Sequence, residues 1–92
     1  MIDLDVKTPN EIDRDIAGRI RQLRKRRNLS QKRLSEKSGV SLGSVKRFEQ
    51  SGEISLRSLT KIAMALRIDE ELKALFADVP PESIEEILNE EN

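Results

Sequence analysis

Cationic side chains are concentrated in the middle of this chain. Residues 19–67 contain 14 Lys and Arg and only three acids, a net charge of +11. Residues 1–18 contain two basic and five acidic residues, and residues 68–92 contain one basic and nine acidic residues. This segregation favours an anionic partner for the middle segment. The alternative is that the charges only solvate an uneven helical surface.

Catalysis and metal binding have few candidate residues. The sequence contains no His and no Cys, so the commonest general base and metal ligand, and any disulfide, are missing. There is no Gly-rich phosphate loop, and tail acids such as Glu85 and Glu86 have the pattern of ordinary solvated residues. We therefore expect no enzymatic activity, no metal and no cofactor.

Length and hydropathy favour one small cytoplasmic domain. The chain has 92 residues, and because Phe48 and Phe76 are its only aromatic residues, aliphatic side chains must build the core. No apolar run approaches the roughly 18 residues of a membrane span. The acidic, alternating residues 1–5 are unlike a secretory signal.

Caps and apolar spacing predict an all-α fold with five helices. The first helix is predicted at about Pro9–Arg27, capped by Thr8 in a capping box with Glu11 and ended by Asn28 in a left-handed conformation. The others are predicted at Gln31–Ser38, at Leu42–Gln50, after the cap Ser55, and from Asp69. Their apolar sides comprise Ile12, Ile16, Ile20 and Leu23; Leu34; Val45 and Phe48; Leu56, Leu59, Ile62, Ala63 and Leu66; and Leu72, Leu75 and Phe76.

Residues 30–52 have the spacing of a helix-turn-helix. Two short helices flank the three-residue turn Gly39-Val40-Ser41. Gly39 can adopt the positive φ that the turn needs, and Ser35 is small enough for the place where the helices cross. The segment Ser41-Leu42-Gly43-Ser44, at the start of the second of these helices, is small enough to enter a DNA major groove.

Both ends lie outside this pattern. Residues 2–6 alternate apolar and acidic side chains, which suits a short strand or a frayed terminus. Val79-Pro80-Pro81 interrupts the helical pattern, and Ile84, Ile87 and Leu88 then give residues 82–90 the spacing of a short amphipathic helix. The predicted organisation is an N-terminal extension at 1–8, a helix-turn-helix domain at 9–77 and an acidic C-terminal tail at 78–92.

Several motifs point together to one family. They are Ser30-Gln31-x-x-Leu34, Gly39-Val40-Ser41, Val45-x-x-Phe48-Glu49, Gly52 and Ile62-Ala63-x-Ala65-Leu66. With these residues the chain resembles the Xre family, the phage-repressor-like helix-turn-helix proteins, over about Ile16–Ile68. The resemblance implies a five-helix repressor that binds inverted-repeat operators in double-stranded DNA as a homodimer. Its third helix would lie in the major groove.

The resemblance also implies DNA contacts. Gln31 matches a phosphate-contacting residue, and Arg47 matches a base-reading position from which Arg can pair with guanine. Leu42 and Gly43 depart from the family, since they stand where Gln or Ser often reads bases; Leu42 could touch a thymine methyl, and Gly43 could admit the DNA closely. The predicted DNA-binding residues are Ser30, Gln31, Lys32, Ser41, Leu42, Gly43, Ser44, Lys46, Arg47, Gln50 and Ser51. Of these, Gln50 and Ser51 are expected at a loop that grips the DNA backbone.

Other charged residues have structural or open interpretations. Glu49 matches a family acid that pairs with an Arg, here Arg24, and this implies a structural ion pair between the first and third helices. The run Arg24–Arg27 suits either a solvated helix end or a DNA backbone contact. Arg57 and Lys61 suit either phosphate contacts or ordinary surface.

A second resemblance concerns residues 48–56. This segment, in which Gly52 stands three residues after Glu49, is similar to the corresponding segment of small HipB-type antitoxins, which are encoded beside HipA-type kinase toxins. The acidic tail would suit a protein partner such as a toxin. The two hypotheses are therefore a transcriptional repressor and an antitoxin that neutralises a partner protein and autoregulates its operon.

Overall fold

The computed structural model describes residues 6–78, which form five α-helices and no strand. The helices are α1 (Pro9–Arg26), α2 (Gln31–Ser38), α3 (Leu42–Ser51), α4 (Leu56–Ala65) and α5 (Asp69–Lys73). The predicted all-α, five-helix fold is confirmed. The alternating residues 2–5 and the predicted helix at 82–90 lie outside the described residues.

Hydroxyl caps begin four of the helices where the sequence predicted them. Thr8, Ser30, Ser41 and Ser55 each accept a hydrogen bond from the backbone N–H three residues later. The Thr8 hydroxyl also donates to the Glu11 carboxylate over 3.2 Å, so the capping box closes through the hydroxyl. Two predicted helix ends differ by one residue, since α1 ends at Arg26 and α3 continues through Ser51, whereas α2 ends at Ser38 as predicted.

The core lies where α3 packs against α1 and α2, and α2 against α4. Its largest fully buried side chains are Phe48, Leu34, Ile62, Leu66 and Val45. Burial of such side chains contributes about 1.5–3 kcal/mol each to folding. The core therefore holds the two helices of the helix-turn-helix and supports them with α1 and α4.

Some residues predicted on the apolar sides do not lie in the core. The buried stripe of α1 consists of Ala17, Ile20 and Arg24, so Ile12 and Ile16 at its edge are 48% and 38% exposed. Leu56, at the first position of α4, is exposed as well.

The predicted apolar side of α5 is also mostly wrong. Leu72 is half-buried, but α5 ends at Lys73. Leu75 and Phe76 follow that end and are exposed, and the φ of Phe76 is +59°. The helical spacing on which the prediction depended does not continue beyond Lys73.

The two helix-ending glycines allow a matched stability test. Gly39 and Gly52 have φ of +75° and +82°, but an added Cβ would meet nothing within 4 Å at Gly39 and would lie 2.8 Å from the backbone carbon of Asp13 at Gly52. Gly39→Ala should cost about 1–2 kcal/mol of left-handed strain. Gly52→Ala should cost about 1–3 kcal/mol more, because α1 must move. Urea unfolding measures both, and equal losses would contradict the close approach of α1 to Gly52.

Candidate nucleic-acid interface

Helix α3 has a buried side and an exposed side. Val45 and Phe48 lie in the core. Gly43, Lys46, Arg47 and Gln50 are exposed, and their spacing places them on one face of the helix. The face opposite the core is therefore polar and cationic, apart from its glycine.

The predicted DNA-binding residues all lie at the start of α2 or along α3 with its cap. The exposed ones are Ser30, Lys32, Ser41, Gly43, Ser44, Lys46, Arg47 and Gln50, and the half-buried ones are Gln31, Leu42 and Ser51.

Two serines share a hydrogen-bond pair at the start of α3. The Ser41 hydroxyl accepts from the Ser44 backbone N–H over 3.1 Å and donates to the Ser44 hydroxyl over 2.8 Å. Ser41 is thus committed to capping the helix. The Ser44 hydroxyl accepts this bond and keeps its own proton for a partner.

A buried ion pair joins α1 to α3. Arg24 Nε and Nη2 donate to the two carboxylate oxygens of Glu49 over 2.7 and 2.8 Å, and both side chains are less than a tenth exposed. The remaining nitrogen, Arg24 Nη1, donates to the Leu29 carbonyl oxygen over 2.7 Å. One guanidinium therefore connects α1, the α1–α2 loop and α3.

Gln31 adds α2 to this network. Its Nε2 donates to Glu49 Oε1 over 3.0 Å, so the side chain ties the start of α2 to α3. Within α2, the backbone N–H groups of Arg33 and Leu34 bond to Ser30. The N–H groups of Gln31 and Lys32 precede them in the first turn, where a helix can bind an anion such as a phosphate.

The network keeps Glu49 ionised. Burial alone raises the pKa of Glu49, but hydrogen bonds from Arg24 and Gln31 and the charges of Arg24 and Arg21 outweigh it, so the pKa lies below its ordinary value of 4.5. A depressed carboxyl pKa contributes stability that is fully present above the ordinary pKa. That contribution is lost as the pH falls through the folded-state value.

A comparison with known protein families matches residues 20–73, more than half of the chain, to the helix-turn-helix family. The chain belongs to the Xre-like helix-turn-helix family. It is accordingly a DNA-binding transcription regulator. A search of curated proteins found no match.

The helix-turn-helix turn is closed by a side chain. The Ser35 hydroxyl donates to the Val40 carbonyl oxygen over 2.6 Å, and Val40 itself is buried between the helices. Ser35 therefore bonds across the turn as well as being small.

Within residues 6–78, no helix has the length and apolar character to cross a bilayer.

The end of α3 differs from the prediction. Gln50 lies in α3 as the predicted helix bounds require, and α3 continues one residue further, so that Ser51 also belongs to its last turn. The Ser51 hydroxyl donates to the Arg47 carbonyl oxygen over 2.7 Å and accepts from the Glu53 N–H over 3.2 Å. Gly52 ends the helix in a left-handed conformation, and the Ser51 side chain links the last turn of α3 to the following loop. Exposed Gln50 lies on the same face as Lys46 and Arg47.

Sequence reasoning missed Arg21 as a member of this surface. Arg21 lines a groove of about 290 Å³ together with Gln31, Lys46, Glu49 and Gln50. Its Nε lies 3.9 Å from Glu49 Oε1, and its side chain is half-exposed. The available signal was its spacing, since Arg21 stands one helical turn before Arg24.

Breaking the buried pair should destabilise the domain strongly. Glu49→Ala leaves the Arg24 charge buried without its partner, and we expect a loss of about 3–5 kcal/mol. Glu36→Ala is the matched control, because Glu36 pairs with Arg33 on the surface, where such pairs contribute about 0–1 kcal/mol. Urea unfolding at neutral pH measures both. Similar small losses for the two variants would show that the Arg24–Glu49 pair does not hold the fold.

Proposed function

We propose that this protein is a transcriptional repressor that binds an inverted-repeat operator as a homodimer. The observation that carries the proposal is the network of Arg24, Glu49 and Gln31, which fixes α3 against α1 and α2 beneath the exposed face. Because the position of α3 is already fixed in the free protein, little conformational entropy is lost when this helix binds DNA. The DNA-binding domain comprises residues 9–77, between the short extension and the acidic tail.

Each part of the surface has a proposed role on DNA. The first-turn N–H groups of Gln31 and Lys32, and the Lys32 ammonium group, bind phosphate. The exposed face of α3 enters the major groove, where Arg47 pairs bidentately with a guanine. Lys46 and Gln50 flank this contact and reach a base or the DNA backbone.

The proposed dimer is supported by the operator geometry of this motif and by exposed apolar residues. Helix-turn-helix dimers bind half-sites about 10–10.5 base pairs apart or at a multiple of that spacing. Leu75 and Phe76, after α5, are 53% and 77% exposed and are candidates for the contact between two copies. A dimer on a promoter excludes other proteins from it, so repression is the expected regulatory outcome.

Two variants separate base reading from phosphate binding. After selection of an operator from random duplexes, Arg47→Ala should lose about tenfold or more in discrimination at one base pair of each half-site. Lys32→Ala should weaken binding to all sequences alike and lower the salt slope by about one. Titrations at several salt concentrations measure both effects. If Arg47→Ala loses equal affinity for cognate and scrambled DNA, Arg47 is a phosphate contact. Failure of the selection to enrich any operator would contradict the proposed function.

A second candidate function is that of an antitoxin. It is favoured by an apolar groove of about 210 Å³ whose lining includes Ile16, Leu56 and Leu59, with Phe48 also contributing. Phe48 belongs to the core side of α3, so a protein bound in this groove would leave the exposed DNA face accessible. The acidic tail would supply further contacts to the same partner.

Co-expression tests the antitoxin. The product of the neighbouring gene should arrest growth, and this chain should relieve the arrest. Leu56→Asp and deletion of residues 78–92 should each weaken the relief while operator binding persists. The Arg47→Ala variant serves as the opposite control, because it should keep the relief of growth arrest while its discrimination of the operator is weakened. A neighbouring product that leaves growth unchanged would contradict the antitoxin function.

A further inference from the structure

Gly43 is a glycine that the fold itself does not require. It is the second residue of α3, its φ is not positive, and an added Cβ would meet no atom within 4 Å. Glycine in a helix is less stable than alanine because it loses more backbone freedom on folding. Gly18 in α1 has the same open surroundings. What distinguishes Gly43 is its place on the exposed face that carries Lys46 and Arg47.

Leu42 and Gly43 together form a surface without side-chain hydrogen-bonding groups. Leu42, the first residue of α3, is half-buried beside the exposed backbone of Gly43. The backbone N–H groups of Ser44 and Val45 bond to Ser41. The N–H of Gly43 precedes them and is a first-turn donor of the helix. The surface thus offers aliphatic carbon and a backbone donor side by side.

Only one DNA base matches this pair of groups. Thymine presents a C5-methyl group next to the O4 acceptor in the major groove. Cytosine and adenine present an amino donor, which Leu42 would bury without an acceptor, and guanine presents acceptors but no methyl group. Resting on the proposed DNA-binding function, we propose that Leu42 and Gly43 read the methyl edge of a thymine, with the Leu42 side chain against the methyl group and the Gly43 backbone close to O4.

The same helix sets the distance to the guanine. Arg47 stands four residues after Gly43, about 6 Å along the helix axis. Base pairs are about 3.4 Å apart. The thymine therefore lies within about two base pairs of the guanine that Arg47 reads. Gly43 has no side chain because a Cβ would stand between the helix and this base edge.

The test removes only the methyl group. In the operator selected from random duplexes, each thymine is replaced in turn by deoxyuridine. One position in each half-site should lose about three- to tenfold in affinity. Leu42→Ala should abolish the difference between thymine and deoxyuridine at that position. Gly43→Ala should weaken operator binding by about tenfold or more.

Matched controls come from the same chain. Leu56 also follows a capping serine as the first residue of its helix, so Leu56→Ala should keep the methyl sensitivity. Gly18→Ala and Gly43→Ala should both raise the melting temperature slightly, and only the second should lose DNA binding. With that result, unfolding would not account for the loss of DNA binding by Gly43→Ala.

Three outcomes would overturn the inference while leaving the DNA-binding function intact. They are a selected operator without any methyl-sensitive thymine, a methyl sensitivity that survives Leu42→Ala, and full binding by Gly43→Ala. Failure to select any operator would instead overturn the proposed function on which the inference rests.

Discussion

The buried pair of Arg24 and Glu49 is the interaction on which the geometry of this domain depends. Taking two charges out of water is costly, and the cost is recovered only when the hydrogen-bonding groups of both are satisfied. Here Arg24 donates from all three guanidinium nitrogens, to Glu49 and to the Leu29 carbonyl, and Gln31 adds a donor to the carboxylate. The remaining core around Phe48 and Leu34 is aliphatic or aromatic and non-directional. The ion pair, together with the hydrogen bond from Gln31, therefore supplies a directional contact between α1, α2 and α3.

The exposed surface follows from that arrangement. Because Glu49 is held on the inner side of α3, Gly43, Lys46, Arg47 and Gln50 stand on the side away from the core. Because Gln31 is tied to Glu49, the start of α2 lies beside the same surface. A chain with no net charge can in this way present a cationic surface, since most of its basic residues lie within residues 19–67 and most of its acids lie toward the two ends of the sequence.

Local signals in the sequence predicted most of the fold. Hydroxyl caps such as Thr8 and Ser30, and glycines such as Gly39, act within one helical turn, so they predicted the bounds of α1, α2 and α3 to within about one residue. The end of α5 was not predicted, because no such local signal follows Lys73. The exposure of Ile12, Ile16 and Leu56 was not predictable, because helical spacing identifies an apolar stripe but not which part of it meets another helix.

The candidate site was less accessible to sequence reasoning than the fold. In the sequence, Arg24 is one member of the basic run Arg24–Arg27, and only the family resemblance implied its pairing with Glu49. The bond from Gln31 to Glu49 and the groove position of Arg21 depend on how three helices meet. The DNA contacts themselves stay predictions, since they depend on the partner as well as on this chain.

Amide chemical-shift mapping with the selected operator tests the central claim most directly. As the duplex is added to the protein, the largest changes in the nitrogen–proton correlation spectrum should occur at Gln31, Lys32, Gly43 and Arg47. The amide of Gly18, which lines a groove with Arg14 and Asp15 and with no residue of α3, should change little. Changes confined to α1 and α5, with the amides of α3 unmoved, would contradict the assignment of α3 as the helix that reads DNA.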